Sequence, residues 1–73
     1  MHHVDSKSIE AIGYEQGTGE LYVRFLESGR TYVYQDVEDG VFEEFLRASS
    51  KGNFFNRKIK GGYAYYPVRV SDR

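Results

Sequence analysis

The stretch Gly29-Arg30-Thr31-Tyr32-Val33-Tyr34-Gln35-Asp36-Val37 decides the fold. Residues 30–35 read as a β-strand of β-branched and aromatic side chains, with Tyr32 and Tyr34 on one face and Val33 on the other. The strand runs straight into Asp36, Glu38 and Asp39. Short acidic side chains of this kind cap a helix and complement its dipole.

Towards the N-terminus, residues 20–26 alternate. Leu21, Val23 and Phe25 point one way, Tyr22 and Arg24 the other. Glu27-Ser28-Gly29 is a short hairpin connection. Residues 8–14 supply a first strand, and Glu15-Gln16-Gly17-Thr18-Gly19 turns it back. Three strands with short turns predict an antiparallel meander. Downstream, Val41, Phe42, Phe45 and Leu46 form an apolar stripe at helical period over about residues 40–49. Asp36 or Asp39 is the expected cap, and Gly52 the expected left-handed residue at the helix stop. Residues 53–60 predict a short second helix, capped by Asn53, with Phe55 and Ile59 in contact at four apart. After Gly61-Gly62 the chain is extended. Pro67 confines any strand there to an edge. The fold class is α+β: a small antiparallel three-stranded β-meander covered on one face by one main helix plus a short second helix. The chain reads as one domain over residues 1–73, with its core at about 8–70.

A chain of 73 residues buries little surface per residue, so stability depends on a dense core. Seven Tyr and five Phe supply it. There is no Cys, which removes disulfides, thiolate metal sites and a Cys nucleophile. No apolar run approaches a membrane span and no secretory signal is present, so the expected location is cytoplasmic. His2 and His3 carry no assigned role and are expected in a loose terminus. The net charge of −1 conceals an asymmetry. Residues 1–46 hold ten acidic side chains against Lys7, Arg24 and Arg30. Residues 47–73 hold seven basic ones against Asp72. Such a split suits either a polyanion-binding end or self-neutralisation between the halves.

Tyr32-Val33-Tyr34 with Val37, then Val41-Phe42, Phe45-Leu46, Ala48, Ser50, Lys51-Gly52, Phe55-Asn56, Ile59, Tyr63 and Tyr65 form an ordered set over residues 8–66. This set resembles the KTSC domain family, named for its place at the C-terminus of some lysyl-tRNA synthetases and also found as a free-standing small protein. The resemblance implies a domain of undefined function for which RNA binding has been suggested, and it supplies no catalytic residues.

Two regions are candidate sites. Tyr32 and Tyr34 form a stacking platform if their face is open, or belong to the core if it lies under the helix. The hairpin register decides, since a one-residue slip exchanges the faces. Val33, the strand's aliphatic residue, favours tyrosines outward; their size favours the reverse. The second region is residues 49–60. Lys51, Asn53, Asn56, Arg57, Lys58 and Lys60, helped by Arg69, are placed to hold phosphates without reading sequence. Alternatively they are caps and a solvated face. Asp36, Glu38 and Asp39 lack the ligand spacing of a calcium loop. No nucleophile elbow or well-placed histidine base is present, so no catalytic residue, cofactor, metal or small-molecule substrate is expected. The expected function is a non-catalytic RNA-binding module. The alternative is a protein-interaction module that takes a peptide or a second copy through a sheet edge or aromatic patch.

Overall fold

The structure is a computed structural model that describes residues 1–68. Its sheet has five antiparallel strands in the order β1-β2-β3-β4-β5: His2–His3, Ile9–Glu15, Glu20–Phe25, Thr31–Tyr34 and Tyr65–Pro67. Between β4 and β5 lie helix α1 (Asp39–Arg47) and helix α2 (Lys51–Phe54), which widens into a π-helical turn, Phe55–Ile59.

The central meander follows the alternation. The expected three strands become five because the sheet gains an edge strand on each side. β1 is two histidines pairing with Ala11 and Ile12, so the N-terminus is not loose there. Two polar residues carry no period that could announce a strand. β5 pairs with β4 only after the chain has crossed the helices. It is an edge strand ending at Pro67, which has no N–H to offer a further neighbour.

Register settles the tyrosines. Leu21 lies opposite Tyr34 and Val23 opposite Tyr32, so both tyrosines share the face of the second strand's apolar residues. Val33 occupies the other face between Tyr22 and Tyr66. It is buried there all the same, beside two large rings. The glutamate of β3 ties these together: Glu20 accepts the hydroxyls of Tyr22 at 3.4 Å and Tyr66 at 3.3 Å.

Helix α1 turns Phe42 and Phe45 onto the sheet, flanked by half-buried Val41 and Leu46. Its cap differs from expectation. Glu38 is the capping position and makes no side-chain cap. Asp39 lies one residue inside, and its carboxylate accepts the Tyr14 hydroxyl at 2.8 Å instead. Asp36 takes a left-handed φ of 60°, the bend that aims the chain from β4 into the helix. Aspartate tolerates this region better than most residues. The Val37 N–H donates to the Gly19 carbonyl at 2.9 Å and holds the bend against the β2–β3 turn.

The helix stop also differs. Ala48 leaves the helix in an extended conformation, and the Lys51 ammonium donates to its carbonyl. Gly52 lies within α2, where a Cβ would stand 2.9 Å from Ser8 Oγ. Its small size serves packing on the β1–β2 connection. Ser50, rather than Asn53, caps α2, accepting the Asn53 N–H at 3.2 Å. Phe54 stacks on Phe45 at 5.1 Å, and Phe55 meets Phe25 and Tyr34 edge-on at 5.3 and 5.5 Å. Adjacent phenylalanines are thus both buried. The π turn closes with the Lys60 N–H donating to the Phe55 carbonyl at 2.8 Å.

Candidate functional site

The helical layer stops short of the β4–β5 end of the sheet. There the inner face opens as a cleft of about 460 Å³ between the strands, the β1–β2 connection and the π turn. Its wall is aromatic. Tyr65 stacks on Tyr34 at 5.2 Å and meets Tyr32 edge-on at 5.8 Å. Tyr32 meets Phe25 edge-on at 5.8 Å. The gradient of burial is steep: Tyr34 is 5% exposed and Tyr65 57%. Burial, with Tyr65 and Tyr32 alongside, pushes the Tyr34 hydroxyl up to about 12. The π turn brings Asn56 and Lys60 to the same cleft, and the hairpin connections contribute Ser8 and Ser28.

The seven tyrosine hydroxyls divide by place. Tyr14 donates to the Val37 carbonyl and to Asp39, Tyr22 and Tyr66 to Glu20, and Tyr63 to Glu38 at 3.1 Å. Tyr32, Tyr34 and Tyr65, which line the cleft, have no hydrogen-bond partner among the described residues. Among the described residues no buried side-chain oxygen or nitrogen lacks a partner, so the deeply set Tyr34 hydroxyl retains surface of its own.

Two further grooves follow in turn, the first adjoining the cleft and the second adjoining the first. A polar one of about 550 Å³ shares Ser8, Gly52 and Asn56 with it and adds Lys7, Lys51 and Asn53. A third, about 420 Å³, lies between α1 and α2 and contains Asn53, Arg57, Arg47 and Glu44. The expected site residues are therefore distributed. Tyr32, Tyr34, Asn56 and Lys60 meet in the aromatic cleft. Lys51 and Asn53 lie in the polar groove, with Lys51 also bonded to Ala48. Arg57 faces the α1 side. Lys58 is exposed on the π turn and lines none of the three. Arg69 lies outside the described residues.

Among the described residues, contact pairing between the halves comes down to a single surface pair. Among the described residues the one ion pair is Arg47–Glu43 at 3.8 Å, within α1 and well exposed. Arg57, Lys58 and Lys60 have none. Also among the described residues, no group of three or more His, Asp or Glu is placed to hold a metal, and no helix is long and apolar enough to cross a membrane.

Tyr65, Lys7 and Ser8 are cleft or groove residues that sequence reasoning did not assign to a site. Tyr65 reaches the site through a pairing across the helices, which no local pattern records. Lys7 and Ser8 lie in a connection whose course depends on α2.

The KTSC domain family model matches residues 5–63. A Tsukamurella paurometabola protein is 42% identical over 60 residues, covering 82% of this chain and 88% of that protein. Lysine–tRNA ligases of Nostoc punctiforme and Nostoc sp. are 40% and 42% identical over 57 residues. The match covers 78% of this chain but only 10% of either ligase. Among solved structures, the crystal structure of a KTSC domain protein from Yersinia pestis superposes with a TM-score of 0.89 at 35% identity, covering 93% of this chain and 94% of that one. Matched over most of its length in both sequence and structure, the chain belongs to the KTSC domain family.

Proposed function

We propose that this domain is a non-catalytic module that binds single-stranded nucleic acid, RNA in particular. The observation that carries the reading is the junction of an open tyrosine cleft with cations that no carboxylate among the described residues engages. Bases stack on aromatic rings whatever their identity, and ammonium and guanidinium groups track the backbone. Lys60 sits at the cleft, and Arg57 and Lys58 sit on the same π turn. The matched stretch within lysine–tRNA ligases, proteins named for a tRNA reaction, agrees in direction. A cytoplasmic location fits an RNA partner and a chain without cysteine.

Fluorescence anisotropy with labelled RNA oligomers tests the reading. Log affinity falls linearly with log salt, and Arg57→Ala with Lys58→Ala and Lys60→Ala flattens the slope by the contacts removed. Absence of binding at low salt ends the proposal. A second reading rests on β5, an exposed edge carrying Tyr65 and Tyr66, which can pair with a peptide or a second copy. It predicts a concentration-dependent oligomer or complex that salt hardly affects.

A further inference from the structure

We infer that the aromatic cleft seats one unstacked nucleobase and reads its edge, with the phosphate that follows it held in the adjoining polar groove. The inference rests on the nucleic-acid reading above and adds to it a base-discriminating site with its own residues.

The argument starts from the hydroxyls. The Tyr34 residue is almost wholly buried, yet its hydroxyl keeps surface of its own and so opens to the cleft. Elsewhere in the domain the tyrosine hydroxyls are taken up by protein acceptors, among them Glu20, Glu38 and Asp39. Among the described residues no acidic side chain lines the cleft, and three hydroxyls are left open together. Asn56, Lys60, Ser8 and Ser28 are the polar side chains that the described residues place beside them. The cleft thus offers flat rings, hydroxyls able to donate or accept, a carboxamide with both capacities, and a cation. A ligand matching all four is planar and aromatic, has mixed donors and acceptors along its edge, and carries negative charge on a tether. A nucleotide within a strand has these features. Neutral proline-rich segments also use aromatic grooves, but nothing in them answers Lys60.

The volume agrees. About 460 Å³ lies within the range of roughly 300–1,000 Å³ typical of small-ligand sites, enough for a base and its ribose. The continuation agrees as well. Ser8, Gly52 and Asn56 border both the aromatic cleft and the polar groove. A strand leaving the cleft past Asn56 meets Lys7 and Lys51 next. Lys7 belongs to the acidic half of the chain, and this placement gives it a role with the basic half. Tyr34 and Asn56 are the edge readers, Tyr65 the stacking lid, and Lys60 and Lys7 the phosphate contacts on either side.

The test uses the full chain and RNA homohexamers of A, C, G and U, measured by anisotropy at one low salt concentration. The wild type ranks them, and Tyr34→Phe compresses the ranking by roughly three- to tenfold, the size of one lost hydrogen bond. Because the Tyr34 hydroxyl has no partner among the described residues, this variant keeps the ring and the fold. A 2-aminopurine base within the preferred hexamer is quenched on binding, and Tyr65→Leu abolishes the quenching. Lys7→Met lowers affinity equally for all four hexamers. Salt-dependent binding with equal affinities and no effect of Tyr34→Phe overturns the base pocket and leaves the nucleic-acid reading standing. Failure of every hexamer to bind overturns both. Displacement of a bound hexamer by a neutral polyproline peptide assigns the cleft to proteins and overturns the inference.

Discussion

Tyr34 and Tyr65 stack across the β4–β5 pair with their rings 5.2 Å apart and 28° from parallel. One ring is in the core and the other at the surface, so this pair joins the core to the open wall of the cleft. Tyr65→Ala removes the exposed half. Stability falls by about 0.5–1.5 kcal/mol, the scale of an aromatic pair. A urea denaturation midpoint measures it, and RNA affinity falls by more than the loss of folded protein accounts for.

Phe45 is fully buried and stacks on Phe54, so it joins the two helices over the sheet. Replacing it by alanine costs about 3–5 kcal/mol. A small domain has total stability near the low end of 5–15 kcal/mol. Phe45→Ala is expected to leave a substantial unfolded fraction at 25 °C, seen as lost near-ultraviolet dichroism and a non-cooperative melt.

The meander and α1 were legible because both are local. Leu21, Val23 and Phe25 mark a strand face by period two, and Val41, Phe42, Phe45 and Leu46 mark a helix by period 3.6. What was not legible depends on distant partners. The face of Tyr32 and Tyr34 is fixed by the register opposite Val23 and Leu21. Val33 misled because its burial comes from Tyr22 and Tyr66 on the outer face. The cap positions shifted because Asp39 is engaged by Tyr14, some 25 residues earlier in the chain. The π turn follows from burying both Phe54 and Phe55, which a regular helical stripe does not anticipate. The polar and basic residues among 51–60 stood out in the sequence as a candidate site, but only the fold sorts them into the cleft, the two grooves and open surface.

Gly19 occupies φ +74°, and a Cβ there would stand 3.3 Å from the Val37 carbonyl. That same segment carries the left-handed Asp36 and, next to it, the Val37 N–H that donates to the Gly19 carbonyl. Gly19→Ala strains the backbone and crowds the bend that launches α1. The expected loss is about 1–2 kcal/mol, the cost of left-handed backbone for a residue with a Cβ. Gly17 also has positive φ but nothing within 4 Å. Gly17→Ala therefore carries the conformational cost without the crowding, and its smaller shift in denaturation midpoint separates the two contributions.

Two hydroxyls make stability depend on alkaline pH. Tyr14 is pushed up to about 12, first by burial and then by its bond to the Asp39 carboxylate. Tyr34 is likewise pushed up to about 12, first by burial. The unfolded chain releases these protons near pH 10 and the folded chain near 12. Above pH 10 the unfolded state thus holds fewer protons than the native state, and stability falls as pH rises. The contribution is complete below pH 10 and is lost as pH passes through about 12. Urea midpoints at pH 7, 8.5 and 11.5 are expected to be level between the first two and to drop at the third. Tyr14→Phe and Tyr34→Phe each reduce the drop. They differ at neutral pH, because Tyr14→Phe also deletes the bonds to Val37 and Asp39 and costs about 1 kcal/mol or more. Tyr34→Phe deletes none among the described residues and leaves the neutral midpoint nearly unchanged. An equal loss at neutral pH for both would show that the Tyr34 hydroxyl is bonded within the folded protein and is not open to the cleft.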